Sequence, residues 1–165
     1  MRIAFTAASA LLAAMLLLPA CGGGSPATVA SPAGASCAGV AGKHHAELVI
    51  QHGDGKVLDR CVGFDSEQVN GEELMKKSGV QYQTQSFSFG VAVCQIDREP
   101  AQFTQCLPAG APYWALWLAQ GGATWTMPPT GVSGLTVKQG DALGWRYTPA
   151  AEPSPAPPPS PHGVK

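Results

Sequence analysis

The sequence predicts an α+β domain: a small mixed β-sheet with one short helix packed on it, in a β-grasp-like order. The alternative is an all-β sandwich in which the helix is incidental. Three observations carry this. A hairpin signature comes first, a fully capped two-turn helix follows, and a series of aromatic or β-branched runs bounded by glycine or proline comes last.

Taken in order, Ala46 to Gln51 is β-branched and partly alternating, and Lys56 to Val62 runs back with apolar Leu58 and Val62. Between them, His52-Gly-Asp-Gly55 supplies the turn, with Asp54-Gly55 favouring a tight hairpin. The helix is expected over residues 71 to 78. Asn70 can cap it, Glu73 closes a capping box, and Val69 can pack on Leu74 as a hydrophobic staple. Lys76 and Lys77 face the negative end of the helix dipole, and Gly79 is the stop. A helix this short must lay Leu74 and Met75 on a sheet to be stable. Further strands are expected at Gln83 to Phe89, Val91 to Ile96, Tyr113 to Ala119, Ala123 to Met127 and Leu135 to Tyr147, the last bent at Gly140-Asp141.

The two ends of the chain differ from this middle. The sixteen apolar-rich residues Ile3 to Leu18 follow Met1-Arg2 and close on Leu18-Pro19-Ala20-Cys21. That run is short for a bilayer span of about 20 residues, and a cysteine after Leu-x-Ala reads as a bacterial lipobox. Residues 1–20 are thus expected to be a lipoprotein signal peptide, with Cys21 the lipidated first residue of the mature chain. Residues 21–42, rich in Gly, Ala, Ser and Pro, read as a flexible tether, 43–148 as the domain, and 149–165 as a disordered Pro-rich tail. The expected location is the cell membrane or outer membrane, lipid-anchored and facing the extracytoplasmic side. Without Arg2 the 10 basic residues become 9 against 11 acidic, a net of -2. With no basic stripe, nucleic acid is not an expected partner.

Besides Cys21 there are four cysteines, Cys37, Cys61, Cys94 and Cys106, and an even number in an exported domain reads as two disulfides. Three pairings are open. A turn at Asp97 to Pro100 favours Cys94 with Cys106, which leaves Cys37 with Cys61 and pins the tether to the body. A zinc site is the rival reading, disfavoured because no Cys-x-x-Cys pair occurs and the histidines cluster elsewhere, so no metal is expected.

No nucleophile elbow, zinc-protease helix or phosphate loop is present, so an enzyme is not expected. His44 and His45 are adjacent and, on a strand, point to opposite faces; His52 lies in the hairpin turn and His162 in the tail. Asp97 and Glu99 read as a solvated turn. The aromatic set is the distinctive feature: Tyr113, Trp114, Trp117, Trp125, Trp145 and Tyr147 fall within 35 residues and include all four tryptophans. On one strand Trp114, Leu116 and Leu118 face one way and Tyr113, Ala115 and Trp117 the other, so both rows are core only where both sheet faces are covered. One row is expected to be available, and Tyr113, Trp114, Trp117 and Trp125 are the candidate ligand-binding residues. Trp145 is expected in the core.

Val93-Cys-Gln-Ile-Asp97, Cys106, Tyr113-Trp-x-x-Trp117, Trp125 and Gly140-Asp-x-x-Gly-Trp-Arg-Tyr147 together resemble exported bacterial proteins related to the transcobalamin C-terminal-like domain. The likeness spans roughly Glu47 to Tyr147. It implies a small β-rich fold that covers one face of a corrinoid, although the helical partner domain of the vertebrate carriers has no counterpart in this sequence. The expected function is a lipid-anchored binding module. It would capture a flat, partly apolar small molecule, with a corrinoid as candidate ligand, and pass it to a membrane transporter. The alternative is an envelope interaction module that docks another exported protein through the aromatic row and the proline-rich tail. No cofactor is expected apart from the corrinoid as ligand.

Overall fold

A computed structural model describes residues 36–163; Cys21, the expected signal peptide and most of the expected tether lie outside the described residues. Strand β1, His44–Gln51, turns through His52 to Gly55 and pairs antiparallel with β2, Val57–Phe64, as the hairpin signature requires. The helix α1, Gly71–Ser78, follows the three-residue strand β3, Gln68–Asn70. Its caps are those the residues dictate. The Asn70 side chain accepts from the Glu73 N–H at 2.8 Å, and Gly79 ends the helix in the left-handed region at φ 72°. Leu74 and Met75 are fully buried in the main core beside Leu48, Ile50 and Trp145.

Strands β4, Tyr82–Phe87, and β5, Gly90–Ile96, form a second antiparallel hairpin with a register shift between Gln83 and Thr84. Strand β6 is Tyr113–Ala119. The expected long last strand is divided into β7, Thr136–Lys138, and β8, Ala142–Thr148, with Gly140 at φ 81° between them. Asp141 holds this bend. Its buried carboxylate accepts the Lys138 and Gly121 backbone N–H groups, both at 2.8 Å. The segment from Ala123 to Met127 is not a strand: its ladder contact is one bridge, Leu118 to Thr126. Gly121 and Gly122, both at positive φ, turn the chain just before it and prevent a longer ladder.

The resulting architecture is a small, strand-dominated α+β fold. Its main sheet is mixed, in the order β2-β1-β8-β6, with β1 parallel to β8 and the other pairs antiparallel. Two smaller pairs, β3-β7 and β4-β5, complete it. Both expected disulfides are present, Cys37 to Cys61 and Cys94 to Cys106.

Both faces of the main sheet are covered. On one face Leu48, Ile50, Leu143 and Trp145 pack with α1. On the other, register places Glu47, Val49, Asp59, Gly144, Arg146 and Trp117 on a common side. The proline-rich segment after Thr148, expected from composition to lack a fixed place, lies over these residues. Arg146 Nη1 binds Glu152 at 2.6 Å, Trp125 Nε1 donates to the Pro159 carbonyl at 2.9 Å, and the His162 and Gly163 N–H groups donate to Glu47. Each tether is a charge or a backbone group, which is why alanine-proline composition alone does not reveal it.

Candidate binding groove

Loop 97–112 is fastened to the first hairpin through one residue. The Glu99 carbonyl accepts Trp114 Nε1 at 2.7 Å, and its carboxylate meets His52 Nδ1 at 2.7 Å and the Gly53 N–H at 3.2 Å. The expected solvated turn is thus a clamp at Glu99, while Asp97 stands 3.9 Å from His52 Nε2. His52 also meets the Trp114 ring edge-on at 5.4 Å. The Cys94–Cys106 bridge ties the far part of the loop to β5. Between these two fastenings the loop stands off the sheet and leaves a groove.

The groove has a volume of ≈ 380 Å³ and is lined chiefly by Phe103, Leu107, Pro112, Tyr113, Trp114 and Tyr147, with the Cys94 bridge at one wall. A second hollow of ≈ 200 Å³ shares Val93, Leu107, Tyr113 and Trp114 with it and extends to Phe89 and Met127. Phe89, Leu107 and Met127 are 45%, 36% and 50% exposed, and they are the large hydrophobic side chains left exposed among the described residues. All three therefore border one continuous apolar surface. Polar groups are few: Gln102, Thr104 and Gln105 from the loop and the two tyrosines. Burial, and then the nearby Glu99 carboxylate, push the Tyr147 phenol above its ordinary value.

The four candidate ligand residues separate into two pairs. Tyr113 and Trp114 line the groove; Trp114 is 3% exposed, and its ring packs on Tyr147 at 5.1 Å. Trp117 is buried on the outer face of the sheet, and Trp125 is half-buried there beside Pro158. The groove residues that sequence reasoning passed over are Phe89, Phe103, Leu107, Met127 and Tyr147. Four of them sit on loops or turns, Phe89 and Met127 at the ends of segments expected to be strands, and Tyr147 stood in the aromatic set but not among the candidate ligand residues. His44 stacks on Phe64 and His45 Nε2 meets the Val40 carbonyl, so neither joins the groove.

No family model matches the chain, and no curated protein matches it. Among solved structures the chain is similar to a proposed metal-binding protein from Ruminococcus gnavus ATCC 29149, with a TM-score of 0.49 and 16% identity. The likeness covers 65% of this chain and 98% of that one.

Proposed function

We propose that this domain is a binding module, not an enzyme, and that its groove takes a flat, partly apolar small molecule between loop 97–112 and the Tyr113–Trp114 end of β6. The observation that carries the reading is that every exposed large hydrophobic among the described residues borders one of two adjoining hollows, which share Leu107, Tyr113 and Trp114. Soluble domains keep such surface together where it binds something, and ligand sites are concave, mostly apolar and sparsely polar. The volume suits an aromatic ring system or the edge of a macrocycle, not an enclosed large ligand. A corrinoid, suggested by the resemblance to transcobalamin-like domains, would rest one edge or face there. The strand order, with the inner strand of the first hairpin parallel to the last strand and a helix across one face, supports the β-grasp-like reading. The lipobox at Cys21 supports attachment to the outer side of a bacterial membrane, where a transporter could receive the ligand.

Equilibrium dialysis of the protein with cyanocobalamin tests the reading, with Leu107→Asp and Tyr113→Ala as variants. Saturable binding that either variant weakens at least about tenfold supports it, by analogy with loss of a buried contact. Binding unchanged in both variants would remove the groove as the site. No cyanocobalamin binding, together with capture of an apolar peptide that Leu107→Asp abolishes, would favour the envelope interaction module instead. For the anchor, Cys21→Ser should abolish palmitate labelling in a bacterial host; an unlabelled wild type would overturn it.

A further inference from the structure

On the sheet face opposite the groove, Glu47, Asp59 and His162 come together from three parts of the chain. Glu47 lies in the middle of β1, Asp59 sits diagonally across from it on β2, and His162 arrives with the proline-rich segment. The Glu47 residue is 1% exposed and the Asp59 side chain 8%, whereas the His162 ring is 33% exposed and faces solvent. Two carboxylates this deep and this close repel one another unless a proton or a cation joins them. The backbone also fixes the geometry. The His162 N–H holds one Glu47 oxygen at 2.9 Å and the Gly163 N–H the other at 2.8 Å, which leaves further lone pairs on each oxygen aimed elsewhere.

We propose that Glu47, Asp59 and His162 bind one divalent first-row transition ion, and that this ion latches the proline-rich segment over the outer face of the sheet. Three dimensions support it. His162 Nδ1 lies 3.0 Å from Asp59 Oδ2 and 3.6 Å from Glu47 Oε1, and one donor atom from each residue lies within 4.8 Å of the others. Donors about 2.1 Å from a tetrahedral zinc stand about 3.4 Å apart, midway between the two measured separations. One imidazole with two carboxylates favours zinc or its neighbours over calcium or magnesium, which prefer all-oxygen shells. Three protein ligands and a solvent-facing side leave room for a water or a further donor in the fourth position. The site lies on the opposite sheet face from the groove, so its failure would leave the binding-module reading untouched.

Isothermal titration calorimetry on the EDTA-treated full chain, with zinc chloride as probe and calcium and manganese chlorides as comparisons, tests the proposal. One zinc per chain is expected, with calcium much weaker. His162→Ala should weaken zinc binding by about a hundredfold or more. Because His162 lies outside every strand, this variant should keep the wild-type circular dichroism spectrum, and it carries the test where Glu47→Gln fails to fold. Zinc should also slow hydrogen exchange at residues 160, 162 and 163 in the wild type and not in His162→Ala. No zinc binding by the wild type would overturn the proposal. So would zinc binding that His162→Ala leaves unchanged, which would place the ion at His44, His45 or His52.

Discussion

The indole Nε1 of Trp125 donates a 2.9 Å hydrogen bond to the carbonyl oxygen of Pro159, joining the loop after β6 to a segment 34 residues further along the chain. With Pro158 and Trp125 both lying against Gly144, this contact seats the proline-rich segment on β8. A Cβ at Gly144 would stand 2.9 Å from Pro158 Cγ and from the Trp125 ring, too close for either rigid group to accommodate. Gly144→Val should therefore lift the segment and cost about 1 to 3 kcal/mol, the usual range for overpacking. A red-shifted tryptophan emission with faster amide exchange at His162 and Gly163 is the expected record. Unchanged exchange there would show that the segment does not depend on this contact.

Trp117 and Tyr113 of β6 should behave oppositely on truncation. Trp117→Ala should cost about 3 to 5 kcal/mol, since the indole is 8% exposed and its loss leaves a cavity under the proline-rich segment. Tyr113→Ala, at the half-buried strand end, should cost about 0.5 kcal/mol and act on ligand binding instead. Thermal melting of the two variants separates them. Equal melting temperatures would mean that the outer face is not a packed layer.

Each disulfide should have its own signature. Non-reducing peptide mapping should link Cys37 to Cys61 and Cys94 to Cys106, and removing either bridge should cost about 2 to 5 kcal/mol. Only the second should also change ligand binding, because Cys94 forms a wall of the groove and Cys106 holds loop 97–112 to it. A Cys37→Ala, Cys61→Ala variant that loses ligand while remaining folded would break that distinction.

Acid should loosen the proline-rich segment through Glu152. Its carboxyl is held below its ordinary 4.5, first by the hydrogen bond from Arg146 and then by the Ala156 N–H. A carboxyl depressed in the folded state contributes its stability above the ordinary value and loses it as pH falls through the lower folded one. Trp125 emission should therefore hold steady down to about pH 4.5 and shift below it. Glu152→Gln should abolish that step and isolate it from protonation of Glu47, which burial moves in the opposite direction. An identical pH profile in the variant would assign the step elsewhere.

Local chemistry made the hairpin, the helix and both bridges legible in the sequence. Asp54-Gly55, Asn70 with Glu73, and Gly79 each act within a few residues, and that is the range over which residue type decides backbone conformation. The alternation on β6 was legible too, including the condition that both its rows are core if both faces are covered. What covers the second face was not legible, because prolines and alanines show no periodicity and the contacts they make depend on Glu47, Asp59 and Trp125 far away in sequence. The groove was half legible for a similar reason: Tyr113 and Trp114 stood out on a strand, but Phe89, Phe103, Leu107 and Met127 converge only once loop 97–112 is pinned by Glu99 and Cys106. Asp141 was placed at the bend, but its role in bracing Gly121 needs the fold to be seen.

The parallel pairing of β1 with β8 sets the order in which this molecule can be assembled. Glu47 meets Ala142 and Gln51 meets Arg146, so the second strand of the central pair is the last of the described strands in chain order. Until it arrives, β1 has only β2 beside it, and an isolated two-stranded hairpin is marginal in water. The central sheet therefore closes late, by long-range contacts that are slow to form. A nascent or translocating chain would stay open until β8 emerges, and any shortening that removes β8 should leave no folded remnant to inherit the groove.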